Sequence, residues 1–248
     1  WNGLKFIDAD GCFLSGNKNK KLFEIADSDQ THDFTPGSIQ LIENGYLPHI
    51  NHTLNLSIID AGAIEKRSFT VVVDAVNGAA SSALPAMVKA LGCRVHHLYC
   101  NPDGEFPRAP EPLSHNLKQL GEAVVTHQAD IGIATDPDGD RLAIVDEKGN
   151  PLGEEYTLTI CADGLLKSTS YPESIVTNLS TTMALDKVAE KYGSRVIRSA
   201  VGEINVVNKM KEVGAVLGGE GNGGVILPES HYGRDSLVGT SMFLNRMA

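Results

Sequence analysis

Apolar and polar residues alternate along this chain with two different periods. Short runs of apolar, mostly β-branched residues, such as FTVVVDAV at 69–76, are typical of buried strands in a parallel sheet. The segment that follows, 79–91, has apolar residues at helical spacing and stops at Gly92. Repeated alternation of such strands and helices predicts an α/β fold whose sheets are mixed and mostly parallel.

The predicted elements form two successive cycles. The first has strands at 69–76, 93–100, 129–136 and 141–146 with helices at 79–91 and 112–127, and the second has strands at 174–179, 195–200, 215–220 and 224–228 with helices at 154–167, 181–192, 203–213 and from 235 onward. We therefore predict two similar α/β domains, 49–152 and 153–248. Residues 1–48 contain one strand-like piece at 4–8 and one helix, which is too little to bury a core. We interpret them as the C-terminal remnant of a preceding domain and a linker.

Composition and charge narrow the class of protein. The 248 residues carry a formal net charge of −10, which argues against a nucleic-acid partner because phosphate contacts need clustered Lys and Arg. No apolar run approaches the roughly 18 residues of a membrane span, and the four cysteines form no CxxC pair. We expect a cytoplasmic protein with reduced thiols and no membrane contact. The lack of an initial Met, and an end inside a predicted helix, suggest a fragment of a longer protein.

The most informative stretch is DPDGDR at 136–141, between two predicted strands. Three carboxylates within five residues repel one another, and burying an unpaired carboxylate is costly. A positive group must therefore lie among them. The spacing favours a hard divalent cation held by oxygen ligands, such as Mg²⁺ or Ca²⁺, with Asp136, Asp138 and Asp140 as the ligands.

The residues alone leave four interpretations of this stretch open. In an EF-hand, Arg141 would occupy a position that needs glycine, and the flanks would be helices rather than strands. A haloacid-dehalogenase-type phosphatase would have Thr or Val after DxDG, where this chain has Asp140. A solvated acidic turn needs one Asp and a Gly, not three carboxylates. A magnesium site beside a phosphate also explains Arg141, because a guanidinium can grip a phosphate bidentately.

Together with its flanking motifs, this stretch resembles the α-D-phosphohexomutase superfamily, which covers phosphoglucomutase, phosphomannomutase and phosphoglucosamine mutase. The motifs stand in that family's order and approximate spacing: VVVDAVNGA at 71–79, LGCRVHHLYCNPDGEFP at 91–107, PEPLSHNLKQL at 110–120, ADIGIATDPDGDRLAIVDEKG at 129–149 and GGEGNGG at 218–224. Family members have four domains. This chain resembles the end of the first domain and all of the second and third.

The resemblance also implies where phosphate transfer starts. The family carries phosphate on a serine in a Ser-His-Asn-Pro loop, shortly before an Asn-Gly-x-Lys segment that Asn2-Gly3-Leu4-Lys5 matches. The phosphoserine would then precede Trp1, and these 248 residues alone would be inactive. Ser114-His115-Asn116 spells the same first three residues without the proline, and it opens a predicted helix. We therefore interpret Ser114 as a structural N-cap.

The matched positions carry implied roles. Asp136, Asp138 and Asp140 would hold Mg²⁺, with a phosphoserine oxygen as a further ligand. Arg141 would be a catalytic residue that contacts the phosphoserine or the reactive substrate phosphate. Lys5 resembles a family lysine implicated near proton transfer at the sugar hydroxyl, and is the second catalytic candidate.

A second loop is implied to bind the sugar. Glu220 and Asn222 match the family's sugar-recognition loop, whose carboxylate and polar side chain bind sugar hydroxyls. Many bacterial members read Glu-x-Ser-Gly-His there, whereas this chain has Asn222 for the Ser and Gly224 for the His; Glu203 also stands where some members carry His. The version with Asn and Gly resembles archaeal-type phosphoglucosamine mutases and their bacterial relatives. Glucosamine phosphate is therefore the predicted substrate.

The resemblance implies that the parent protein interconverts hexose 1-phosphate and hexose 6-phosphate through a phosphoserine and a hexose 1,6-bisphosphate. Mg²⁺ would be its cofactor and the bisphosphate its activator. Phosphomannomutase or phosphoglucomutase activity is one alternative. A catalytically silent module that binds sugar phosphates is another, although the retained carboxylates and Arg141 count against it. The sequence carries no signal for the oligomeric state.

Overall fold

The computed structural model describes residues 4–28 and 37–248 of the chain. The chain divides into two compact units, Trp1–Gly45 and Tyr46–Ala248. Every helix among the described residues is too short or too polar to cross a lipid bilayer.

In the first unit, the regular element among the described residues is helix α1 (Gly16–Ala26). The strand predicted at 4–8 is wrong. The described residues there form an isolated antiparallel bridge between Ile7 and Phe13. A strand is stabilised by burying one apolar face, and here Leu4 remains 86% exposed.

The described part of the second unit opens with two short helices that the apolar pattern does not indicate. Helix α2 (Leu47–Leu54) has a proline in its first turn, where the missing N–H costs nothing. Helix α3 (Ala61–Arg67) begins after Asp60, whose carboxylate accepts a hydrogen bond from the Ala63 N–H at 2.9 Å. The sequence pattern predicts no element between the linker and the strand at 69–76, so both helices are additions to the predicted order.

The first sheet contains β1 (Thr70–Asp74), β2 (Arg94–Leu98), β3 (Ile131–Thr135) and β4 (Leu142–Val145) in the order β2-β1-β3-β4. Strand β1 pairs in parallel with both of its neighbours, whereas β4 runs antiparallel to β3. The parallel connections pass through α4 (Ala83–Ala90) and α5 (Lys118–Thr126). Strand β4 follows β3 after a short loop, which is why it returns antiparallel.

The second sheet repeats this layout. It contains β5 (Ser174–Asn178), β6 (Arg195–Ser199), β7 (Leu217–Glu220) and β8 (Gly224–Ile226) in the order β6-β5-β7-β8, with α6 (Glu155–Ser168), α7 (Ala184–Lys191), α8 (Glu203–Val213) and α9 (Ser236–Met247) around it. Here too the last strand is antiparallel and the others are parallel. The predicted fold class, two similar α/β domains with mixed, mostly parallel sheets, is confirmed. We call the first sheet with its helices the first layer, and the second sheet with its helices the second layer.

Both helices predicted in the first cycle begin later than expected. A 3₁₀ turn at Ala79–Ser81 precedes α4, and another at Ser114–Asn116 precedes α5. Ser114 is therefore the first residue of a turn, and its interpretation as a helix cap is wrong. The α-helix starts four residues later, after Leu117.

Helix α9 joins the two sheets in a common core. It contacts α4 of the first layer and α6 of the second, and its residues from 236 to 244 are buried. A Cβ added at Gly239 would lie 3.2 Å from Leu142 Cδ2 on β4 and 3.4 Å from Val225 Cγ2 on β8. The helix therefore packs against both antiparallel strands, and it fixes the loops that lead into them.

Candidate active site

The aspartate loop, residues 136–141, leads from the end of β3 into β4. The turn is folded around the side chain of Asp136, whose Oδ1 accepts hydrogen bonds from the backbone N–H groups of Asp140 and Arg141, both at 3.1 Å. Gly139 supplies the left-handed backbone, with φ of +74°, that the turn requires. As a result the Asp136 carboxylate is buried, with the residue 4% exposed.

The three carboxylates of this loop converge. One oxygen from each of Asp136, Asp138 and Asp140 lies within 4.8 Å of the others. Burial, together with repulsion from Asp140 and Asp138, raises the pKa of Asp136 to about 7. An oxygen-only set of ligands with surplus negative charge fits a hard cation such as Mg²⁺ or Ca²⁺, rather than a softer metal that prefers nitrogen or sulfur.

Arg141 lies beside these carboxylates. Its Nε is 3.5 Å from Asp136 Oδ2 and 3.8 Å from Asp140 Oδ1, and its Nη1 pairs with Glu111. The Arg141 side chain is 25% exposed and that of Glu111 is 51% exposed. An ion pair this accessible contributes little to stability, so the guanidinium can exchange Glu111 for an incoming anion at small cost.

Hydrogen bonds from neighbouring segments hold the aspartate loop in place. The Ala79 N–H donates to Pro137 O at 2.8 Å, and Ser236 Oγ donates to Gly139 O at 2.6 Å. A Cβ on Gly78 would lie 2.4 Å from Pro137 O, so only glycine permits this approach. The loop is therefore anchored both to the turn that follows β1 and to the start of α9.

The glycine loop, residues 220–224, occupies the equivalent place in the second layer, between β7 and β8. Glu220 is buried, and its Oε1 accepts hydrogen bonds from Asn178 Nδ2 at 2.8 Å and from the Gly202 N–H at 3.3 Å. Asn222 is half-buried, and its Oδ1 accepts a hydrogen bond from the Gly224 N–H at 3.2 Å. The sugar-binding roles predicted for Glu220 and Asn222 stay predictions.

The two loops are in direct contact. The Leu142 N–H donates to Gly223 O at 3.0 Å, and Arg141 forms an antiparallel bridge with Gly224. A Cβ on Gly223 would lie 2.4 Å from Leu142 O, and Gly223 has φ of +91°. The fold thus brings together the predicted metal ligands, Arg141 and the predicted sugar loop, which are about 80 residues apart in sequence.

A residue that the sequence patterns did not single out lies at the centre of this contact. The Arg234 guanidinium donates to Asp140 Oδ2 at 2.6 Å, to Glu220 Oε2 at 3.0 Å and to Glu203 Oε2 at 2.9 Å. Its side chain is only 10% exposed. Burial alone would lower the pKa of Arg234, but Asp140, Glu203 and Glu220 outweigh burial and raise it, so the guanidinium stays charged.

Lys5 belongs to the first unit. Its Nζ lies 5.7 Å from the centroid of the Phe13 ring, and its side chain is exposed. The rest of the Asn-Gly-x-Lys match, Asn2 and Gly3, lies outside the described residues. The catalytic role of Lys5 stays a prediction.

Comparison with known proteins identifies relatives of both layers. Residues 44–149 match the family model described as "Phosphoglucomutase/phosphomannomutase, alpha/beta/alpha domain II", and residues 153–248 match the one for domain III. A Thermococcus kodakarensis protein named "Phosphoglucomutase/phosphomannomutase" is 35% identical over 100% of this chain and 54% of its own length. A Methanopyrus kandleri protein named "Probable phosphoglucosamine mutase" is 33% identical over 93% of this chain and 50% of its own length. The chain thus spans about half the length of the curated relatives it matches.

Solved structures agree with this comparison. A phosphoglucomutase/phosphomannomutase family protein from Burkholderia thailandensis superposes with a TM-score of 0.79 at 27% identity, over 94% of this chain and 49% of that chain. The two domain models together cover most of the residues, and each covers one of the two sheets. This chain belongs to the phosphoglucomutase/phosphomannomutase family of phosphohexomutases.

Proposed function

We propose that the whole protein interconverts a hexose 1-phosphate and a hexose 6-phosphate through a phosphoserine and a hexose 1,6-bisphosphate. The observation that carries this proposal is the contact between the two loops. One loop offers carboxylates and a guanidinium suited to a cation and a phosphate, and the other offers a carboxylate suited to sugar hydroxyls. Moving a phosphate between two positions of one sugar requires a phosphate site and a sugar site that lie close together.

The aspartate loop is the proposed phosphate end of the site. Asp136, Asp138 and Asp140 would hold Mg²⁺, which when bound would offset the charge that develops on a transferring phosphoryl group. Arg141 would leave the exposed Glu111 and donate N–H groups to a phosphate. These charges are positioned before the substrate arrives, so catalysis would rest on positioning and electrostatic stabilisation.

The glycine loop is the proposed sugar end of the site, with Lys5 as the proposed group for proton transfer at the sugar hydroxyl. Glu220 Oε1 accepts hydrogen bonds from Asn178 and Gly202, whereas Oε2 accepts one from Arg234. A carboxylate oxygen has two acceptor directions, so Oε2 retains capacity for a sugar hydroxyl. Because the bisphosphate must bind in two opposite orientations, an acceptor that can serve different hydroxyls suits this reaction.

Glucosamine phosphate is the proposed substrate. The Methanopyrus kandleri relative is named "Probable phosphoglucosamine mutase". The glycine loop, with Asn222 and Gly224, resembles that of archaeal-type phosphoglucosamine mutases. Mannose or glucose phosphate is the second candidate, favoured by the name of the Thermococcus kodakarensis relative.

The test is a mutase assay of the whole protein with Mg²⁺ and glucosamine, mannose or glucose phosphate, each with its 1,6-bisphosphate. We expect the highest kcat/KM for glucosamine phosphate. Residues 1–248 alone should show no turnover, because Ser-His-Asn-Pro does not occur in this sequence. If the whole protein binds these sugar phosphates but isomerises none of them, the silent binding module replaces the mutase as the correct interpretation.

A further inference from the structure

The guanidinium of Arg234 has a geometry that can set the distance between the two loops. Its N–H groups point in fixed directions within one plane, and three of them are directed at carboxylates of three different elements. Asp140 belongs to the aspartate loop, Glu220 to the end of β7 and Glu203 to the start of α8. Lysine has a single ammonium group and cannot reproduce this planar fork.

The conformation of Arg234 is fixed on its other sides as well. Glu203 accepts from Arg234 Nε and also, through Oε1, from the Arg234 backbone N–H at 3.1 Å. A Cβ added at Gly224 would lie 2.3 Å from Arg234 Cδ, so the glycine loop leaves room for this side chain. The fork is therefore held in one orientation by α8 and by the glycine loop, independently of Asp140.

We propose that Arg234 is a positioning residue that holds Asp140 and Glu220 in one arrangement and so makes cation binding at the aspartate loop depend on the glycine loop and α8. The inference rests on the proposed function, which takes Asp140 as a Mg²⁺ ligand. Arg234 donates to Oδ2 of Asp140, whereas Oδ1 lies 3.8 Å from Arg141 Nε. A residue that orients a metal ligand typically changes metal affinity by about 10- to 100-fold.

A purely electrostatic role for Arg234 predicts the opposite result. A positive charge 2.6 Å from an oxygen of Asp140 opposes the binding of a cation. If Arg234 only neutralised surplus carboxylates, its removal would tighten cation binding, and lysine would replace it. If Arg234 positions Asp140, cation binding weakens both in Arg234→Gln, which loses the charge, and in Arg234→Lys, which keeps it.

The experiment is a Mn²⁺ titration, followed by electron paramagnetic resonance, of the 248-residue chain and its variants. We expect Arg234→Lys and Arg234→Gln each to raise the Kd about tenfold. Arg246→Lys is the matched control, because Arg246 Nε donates to Asp163 Oδ2 at 2.6 Å and this pair belongs to neither loop. The Kd of Arg246→Lys for Mn²⁺ should equal that of wild type. Unchanged or tighter Mn²⁺ binding by folded Arg234→Gln would overturn the proposal.

Thermal unfolding shows whether the Arg234 variants fold. If they do not, a variant at another position tests the proposal. Glu203→Ala removes the anchor of Arg234 but none of the proposed metal ligands, and should raise the Kd for Mn²⁺ several-fold. Wild-type affinity in folded Glu203→Ala would contradict a positioning role. If Asp138→Ala binds Mn²⁺ as tightly as wild type, the metal assignment itself falls, and the proposed function fails together with this inference.

Discussion

Asp138 is the exposed member of the three aspartates, so its replacement should affect the metal with little effect on the fold. We expect Asp138→Asn to weaken Mg²⁺ binding at least tenfold, because a neutral amide replaces one of three carboxylate ligands. The metal-free variant should be no less stable than wild type, since one repelling charge is removed. Isothermal calorimetry and thermal unfolding measure the two effects.

The matched control for this substitution is Glu147→Gln. Glu147 is an exposed carboxylate just beyond β4, 3.9 Å from Lys148, and its replacement should leave Mg²⁺ affinity unchanged. Equal losses in the two variants would mean that Mg²⁺ responds to net charge and does not occupy a specific site.

At the scale of single residues, the candidate site was only partly predictable. The three aspartates could be found because they are close in sequence and carry chemistry that is hard to explain without a cation. Arg234 could not be found, because its three partners lie at 140, 203 and 220, and no local pattern relates those positions. Only packing of the two layers brings them to one guanidinium.

At the scale of elements, the start of α9 shows how a helix end is satisfied. Asp235 Oδ1 accepts the N–H groups of Leu237 and Val238, and Oδ2 pairs with Nε2 of His231 at 2.8 Å and of His49 at 2.6 Å. His231 Nδ1 accepts the N–H of the residue at 233, so its Nε2 carries the proton and donates to Asp235. Although this group could be mistaken for a metal site, both Nε2 atoms already hydrogen-bond to the Asp235 carboxylate without an ion.

This cluster makes stability depend on pH. The hydrogen bond to Asp235 raises the pKa of His49, and burial only partly opposes this. Burial alone would raise the pKa of Asp235, but the hydrogen bonds from His231 and His49 lower it. His49 therefore stabilises fully below about pH 6.5 and loses its contribution as pH rises through its folded pKa. Asp235 stabilises above about pH 3.9 and loses its contribution as pH falls through its own folded pKa.

We expect the Tm of wild type to fall as pH rises from about 6 to about 8, and His49→Gln to show a shallower fall over the same interval, because the variant has no imidazolium to lose. His115→Gln is the control, since His115 lies exposed in the turn before α5 and should leave the slope unchanged. Scanning calorimetry measures all three. Parallel profiles for wild type and His49→Gln would show that a charged His49 does not stabilise Asp235 at the start of α9.

Which elements could be predicted depended on length and on burial. Helix α8 was predicted with both ends correct at 203–213, and α9 was predicted to start at its capping residue, because their periods are long enough to recognise. Helices α2 and α3 were missed because, unlike α4 and α7 of similar length, they do not lie between two predicted strands. The strand at 4–8 was wrong because apolar composition does not supply a partner strand.

At the scale of the whole second unit, alternation of strands and helices was enough to predict two similar α/β domains with mostly parallel sheets. It could not predict that the sheets share a core, because that depends on α9 reaching β4 and β8 at once. The shared core predicts that both layers unfold in one transition. Cys93 reports on the first layer and Cys161 on the second, since both thiols are buried. Mass spectrometry of thiol labelling in urea should show both becoming reactive at the same denaturant concentration.

Gly239→Val tests whether α9 carries this coupling. A Cβ at 239 would already lie 3.2 Å from Leu142 Cδ2 and 3.4 Å from Val225 Cγ2, so two further methyl groups would overpack the contact with both strands. We expect the unfolding free energy to fall by about 1–3 kcal/mol, with both thiols shifting to lower urea together. Gly62→Ala, within α3, is the control. The Cβ of this variant would meet only Asp60 Oδ1, at 3.5 Å. The substitution should therefore be neutral, or raise the unfolding free energy by up to about 1 kcal/mol. If the urea concentration at which the thiol becomes reactive changed for only one of the two cysteines, α9 would stabilise a single layer and the two sheets would unfold independently.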